Sequence, residues 1–88
     1  MQSRTIRLRL SQGLHARVAV RVVKVASRFT SKVVLVVGER RASARSLMAM
    51  LMLAAAMGAT VRLETEGPDE QAAIDAVVAV LAAPGDRA

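Results

Sequence analysis

His15 is the only histidine in the chain, and it stands in Gly13-Leu14-His15-Ala16-Arg17, where an alternating segment gives way to a helical period. A helix start presents backbone N–H groups without intrahelical partners and the positive end of the macrodipole, so an anion settles there with little extra machinery. The same field disfavours imidazolium, which leaves a neutral ring nitrogen able to carry a phosphoryl group at physiological pH. Arg17 adds a guanidinium fork that grips phosphate oxygens more specifically than an ammonium would. The competing reading is a surface or capping histidine. Against it, nothing else in the chain looks catalytic: no carboxylate stands near His15 in sequence, and there is no nucleophile elbow and no Gly-rich phosphate loop.

Ser46 opens an apolar run that closes at Gly58. By position it is a helix N-cap worth about 1 kcal/mol, with Gly58 as the C-terminal stop. A phosphoserine is also welcome at a helix N-terminus, so Ser46 is a second candidate: a phosphorylation site whose added charge alters the surface beside it.

Both candidates need elements to hold them. Residues 5–10 alternate, with Ile6, Leu8 and Leu10 on one face and Arg7 and Arg9 on the other, which predicts a half-buried strand. Ser11, Gln12 and Gly13 form a loop. Over 16–29, Ala19, Val22, Val23, Ala26 and Phe29 recur at spacings of three and four, which predicts a helix. Its five valines are mediocre helix formers, so packing must override propensity. Its other face stacks Arg17, Arg21, Lys24 and Arg28 in a cationic stripe that begins beside His15.

Residues 32–37 read as a well-buried strand, Gly38-Glu39 as a tight turn, and 40–44 as a short charged edge strand. The helix predicted over 46–57 is apolar nearly all round. A small domain buries only one side of it, so some of Leu47, Met48, Met50 and Leu51 stay exposed beside the first helix. Residues 60–66 alternate again. After Gly67-Pro68-Asp69, Ile74, Val77, Val78 and Leu81 mark a last helix that Pro84-Gly85 ends. The order is β-α-β-β-α-β-α. The simplest architecture is α+β, an antiparallel sheet with helices on one face and solvent on the other, with a ferredoxin-like sheet as topological competitor. The periodicities give no strand order.

The totals set bounds. The chain has 88 residues, 53% of them hydrophobic, which predicts one compact domain over 1–88. With no cysteine and one histidine, neither a disulfide framework nor an imidazole-rich metal site is expected, nor any cofactor. The N-terminus lacks a signal-peptide core, and the longest apolar run, 47–57, is far below the roughly 18 residues of a membrane span. A soluble protein of a reducing cytoplasm is expected. The net charge is +6, and residues 1–63 hold twelve of the thirteen Lys and Arg with only one acid, Glu39. One surface is therefore expected to be strongly positive, suited to a polyanion or an acidic protein. A small nucleic-acid-binding domain is the reading from another class. With one Phe and no Tyr or Trp there is almost nothing for base stacking, so such binding would be nonspecific and fade steeply with salt.

Gly13-Leu14-His15-Ala16-Arg17, then Ser46-Leu47-Met48 opening an apolar helix, then Gly58-Ala59 before the last strand together resemble the HPr family, the histidine-containing phosphocarriers of the bacterial phosphotransferase system. The likeness spans roughly residues 3–83. It implies an open-faced β-sandwich with three helices on one face of a four-stranded antiparallel sheet in order 1-4-2-3. It implies that His15 accepts phosphate on Nδ1 from phosphorylated enzyme I, which draws it from phosphoenolpyruvate, and hands it to an enzyme IIA domain while Arg17 steadies the phosphoryl group. Such a protein is a carrier rather than a true enzyme. Ser46 matches the position that an HPr kinase/phosphorylase modifies in family members of many Gram-positive bacteria, slowing transfer and promoting binding of a transcriptional regulator. Arg21, Lys24, Leu47, Met48 and Leu51 match the docking surface. A purely regulatory member, or a carrier of a nitrogen-related branch, is the alternative within the family. One departure stands out: where the family usually has proline after the arginine, this chain has Val18, which restores a backbone N–H and loosens the helix start.

Overall fold

The computed structural model describes residues 1–7, 16–54 and 60–82. The elements run β1 (Gln2–Arg7), α1 (Ala16–Ala26), β2 (Lys32–Val37), β3 (Arg40–Ser43), α2 (Leu47–Ala54), β4 (Thr60–Glu66) and α3 (Glu70–Ala82). All four strands form one antiparallel sheet in the order β1-β4-β2-β3. That order excludes the ferredoxin-like alternative and matches the α+β open-faced sandwich.

Strand register sorts the side chains. Ile6, Val33, Leu35, Ala42, Val61, Leu63 and Thr65 point to one face and are buried. The apolar ones join a single cluster with Val18, Ala19, Val22 and Ala26 of α1, Met50 and Leu53 of α2, and Ala73, Ile74, Val77 and Leu81 of α3. The helices therefore form one layer over this face. The opposite face carries Arg7, Thr60, Arg62, Glu64, Arg41 and Lys32, as alternation requires. Val36 also lies on that open face, yet it is only 7% exposed. Its ladder partners are Arg41 and Arg62, whose aliphatic stems can cover it while their heads reach Glu64 at 2.8 and 3.1 Å.

Several boundaries differ from the sequence expectation. β1 begins at Gln2 because the ladder to β4 recruits Gln2, Ser3 and Arg4 opposite Thr65, Glu64 and Leu63, which side-chain alternation alone does not reveal. The expected residues Leu8, Arg9 and Leu10 lie outside the described residues. α1 ends at Ala26, three residues short of Phe29. There the N–H groups of Arg28 and Phe29 turn to the carbonyls of Val25 and Ala26 at 3.1 and 3.2 Å, a 3₁₀-type tightening. Serine supplies the exit, since Ser27 Oγ donates to the carbonyl of Val23 at 2.7 Å. Phe29 still packs partly buried against the core. β3 stops at Ser43, while Ala44 is fully buried and its N–H reaches the carbonyl of Val33 at 2.8 Å. Gly38 takes φ +60° in the β2–β3 turn, the left-handed geometry that a tight hairpin demands.

Among the described residues, no helix is long and apolar enough to cross a membrane.

Candidate functional site

His15 itself lies outside the described residues, as do Gly13, Leu14 and Gly58. What the structure fixes is the element that follows it. α1 begins at Ala16, so Ala16, Arg17 and Val18 form the first helical turn, where backbone N–H groups lack intrahelical acceptors. The turn itself holds no acidic residue to offset the positive end of the helix dipole.

Val18 is 2% exposed and belongs to the core cluster. Whatever freedom its restored N–H gives the backbone is opposed by side-chain burial, which ties the helix start to the sheet. The rest of the helix follows the predicted split. Ala19, Val22 and Ala26 are buried, Val23 is half-buried, and Arg17, Arg21, Lys24 and Arg28 are all exposed. Among the described residues, Arg21, Lys24 and Arg28 make no ion pair, so the stripe presents its charge to solvent.

The second helix packs against α1 and against β3. Ser46 caps it: its Oγ accepts the N–H of Ala49 at 3.2 Å, and its carbonyl accepts the N–H of Met50 at 3.0 Å. Of the four apolar residues considered for exposure, Leu47 is 40% and Met48 69% exposed, while Leu51 is half-buried against the core. Met50 is the one of the four that is fully buried. A helix apolar all round gives no stripe to choose from, and the choice fell to the turn that faces β3 and the core.

Two exposed residues escaped the sequence reading. Met52 is 64% and Val20 37% exposed. The four-residue spacing that links Met52 to Met48, and the three-residue spacing that links Val20 to Arg17, could have found both. Exposed methionine suits a surface that meets more than one partner, because its unbranched thioether adapts its shape. The cations of α1 and the exposed apolar residues of α2 are carried on two helices that pack against each other.

The sequence reading also missed a set of polar contacts that brace the far end of α1. The Asp69 carboxylate accepts the N–H of Thr30 at 3.0 Å, the N–H of Ser31 at 2.9 Å and the Ser31 hydroxyl. The Ser31 hydroxyl first, then the Thr30 N–H, hold its pKa down to about 2. The Arg45 guanidinium donates to the carbonyls of Phe29 and Ser31. Elsewhere, a hydrogen bond from Arg41 lowers the pKa of Glu64, and the N–H of Gly67 followed by the N-terminal ammonium lowers that of Glu70. Glu64 on β4, and Asp69 and Glu70 at the start of α3, are thus engaged by groups other than Arg21, Lys24 and Arg28.

Comparison with known proteins agrees with this geometry. The sequence profile of the PTS HPr component phosphorylation site matches residues 2–83. The phosphocarrier protein HPr of Cupriavidus necator is 47% identical over 70 residues, 80% of this chain and 79% of that protein. The phosphocarrier protein NPr of Shewanella violacea is 43% identical over 76 residues, 86% of this chain and 84% of that protein. A crystal structure of HPr from Thermoanaerobacter tengcongensis superimposes with a TM-score of 0.84 at 36% identity, covering 92% of this chain and 91% of that one. A match over nearly the whole chain, close relatives in sequence and a common fold converge: the chain belongs to the HPr family, the phosphocarriers of the phosphotransferase system.

Proposed function

We propose that the chain accepts a phosphoryl group on Nδ1 of His15 from phosphorylated enzyme I and passes it to enzyme IIA components of a sugar phosphotransferase system. The observation that carries this reading is the start of α1 at Ala16, one residue beyond His15, with Arg17, Arg21 and Lys24 exposed along the same helix. In each transfer one P–N bond breaks as another forms, roughly in line, and the protein contributes positioning and charge stabilisation. The first-turn N–H groups and Arg17 are suited to the phosphoryl oxygens. Arg21, Lys24, Leu47, Met48 and the exposed part of Leu51 form the docking surface for both donor and acceptor. The carrier acts as a single domain over 1–88 in the cytoplasm.

Ser46 is the regulatory position in this reading, modified by an HPr kinase/phosphorylase and read by a transcriptional regulator. Its half-exposed side chain at the head of α2 supports it, because a phosphoserine there keeps its place as a cap and adds charge beside Leu47 and Met48. A nitrogen-related branch is the second reading, favoured by the similarity to the NPr relative.

Incubation with enzyme I and phosphoenolpyruvate tests the proposal. One phosphoryl group per chain is expected, lost in acid and kept in alkali, and absent from His15→Ala. Uptake of such a label by His15→Ala refutes it. Offering the phosphorylated chain to enzyme IIA domains of sugar and nitrogen-related systems then separates the two branches by rate.

A further inference from the structure

The other end of the molecule holds a cavity that the carrier role leaves unused. It has a volume of about 310 Å³ and is lined by Thr30, Lys32, Val33, Val34, Ser43 and Arg45. Lys32, Val34 and Ser43 lie on the open face of the sheet, Val34 directly opposite Ser43 in the ladder. Lys32 pairs with Glu66, the last residue of β4, whereas Arg7, from which the chain leads on towards His15, pairs with Thr60, the first. The cavity therefore sits roughly 20 Å along β4 from the end that leads to His15, at about 3.3 Å per strand residue.

Its lining combines an ammonium and a guanidinium with two hydroxyls. The guanidinium of Arg45 is held in place by the carbonyls of Phe29 and Ser31, both reached from the same nitrogen, so Nε and the other terminal nitrogen still offer donors. Among the described residues, no carboxylate lines the cavity. Asp69 is turned to the amides of Thr30 and Ser31, while Glu66 and Glu64, the ladder partners of Lys32 and Val34, line a neighbouring cavity that shares those two residues. A pre-positioned guanidinium, an ammonium and hydroxyl donors around a small concavity match a tetrahedral dianion better than a planar carboxylate or an extended acidic chain.

We infer that the cavity bounded by Thr30, Lys32, Ser43 and Arg45 binds a small dianionic phosphate ester. The site lies beyond the C-terminal end of α1, whose start at Ala16 is at the other end of that helix, and it is independent of the phosphocarrier reading.

The test is an NMR titration of the full chain at low salt and about pH 8, above the second phosphate pKa near 6, with inorganic phosphate, methyl phosphate and methyl sulfate. Saturable shifts are expected at the amides of Thr30, Lys32, Ser43 and Arg45, with millimolar dissociation constants for both phosphates. The monoanionic methyl sulfate should bind several-fold more weakly. Lys32→Met should weaken binding by roughly fivefold, the scale of one partly exposed ion pair, and Arg45→Lys by more, because it loses the fork. The Lys32 side chain makes no hydrogen bond or ion pair among the described residues, so that variant keeps the fold and the test remains decisive even if Arg45→Lys does not. Shifts confined to residues 16–21, equal binding of phosphate and sulfate esters, or unchanged affinity in Lys32→Met would each overturn the proposal.

Discussion

Ser31 and Asp69 are bonded in both directions. The Ser31 N–H donates to the Asp69 carboxylate at 2.9 Å, and Ser31 Oγ accepts the N–H of Asp69 at 3.1 Å while donating its own proton to that carboxylate. With Thr30 as a third donor, one acid closes the α1–β2 loop onto the turn that starts α3. The pairing spans 38 residues of sequence, and α1 and α3 pack beside it.

The first prediction is an acid transition with a known source. The pKa of Asp69 is about 2 in the folded chain against 3.8 for an unperturbed aspartate, so the folded state favours the carboxylate. Its contribution is complete above pH 3.8 and is lost as pH falls through about 2. Urea unfolding followed from pH 5 to pH 2 should show stability falling below about pH 4. In Asp69→Asn that part of the fall should be absent and the starting stability lower. An unchanged acid profile in the variant would refute the assignment.

Two glycines with positive φ should respond very differently to alanine. At Gly67, φ is +148° and an added Cβ would lie 2.5 Å from Ser31 Oγ and 2.7 Å from Ser31 Cα. Backbone strain and the forced shift of a buried neighbour together should cost about 2–4 kcal/mol. At Gly38, φ is +60° and nothing lies within 4 Å of the added atom. Gly38→Ala should cost only the left-handed backbone penalty, about 1–2 kcal/mol. Chemical unfolding of both variants gives the comparison.

Ser46 carries a structural role that can be separated from a regulatory one. Ser46→Ala removes the acceptor of the Ala49 N–H and should cost about 1 kcal/mol. Ser46→Asp keeps a capping oxygen and adds a favourable charge at the helix start, so its stability should stay within about 0.5 kcal/mol of the parent. If the surface beside Leu47 and Met48 receives enzyme I, Ser46→Asp should nonetheless take up phosphoryl groups more slowly than Ser46→Ala.

Met48 and Met50 offer a clean contrast, two residues apart on one helix. Met50 is fully buried, so Met50→Ala should cost about 2–5 kcal/mol. Met48 is 69% exposed, and Met48→Ala should change stability by less than about 0.5 kcal/mol. In a coupled assay, however, Met48→Ala should raise the concentration needed for half-maximal transfer from enzyme I by about tenfold if it is an interface anchor. Equal kinetics in parent and variant would remove Met48 from the docking surface.

The alternation of 60–66, the 3–4 spacing of Ala19, Val22 and Ala26, and Ser46 ahead of an apolar run were enough to place most elements and the cap. They suffice because period and capping are local: each depends on residues within one or two turns. The cationic stripe on α1 was legible for the same reason. Strand order was not, because alternation says which side chains share a face and nothing about which strand lies beside which. The family resemblance implied β4 between β1 and β2 and the assembled sheet bears it out, but only the sheet itself drew Gln2, Ser3 and Arg4 into the first strand and buried Val36 between Arg41 and Arg62. Tertiary packing likewise decided that Met50 is core and Met52 surface, a distinction that a uniformly apolar helix cannot encode by itself. It also joined Ser31 to Asp69 and Arg45 to Phe29, since hydrogen bonds between distant segments form only after folding has brought their partners within about 3 Å.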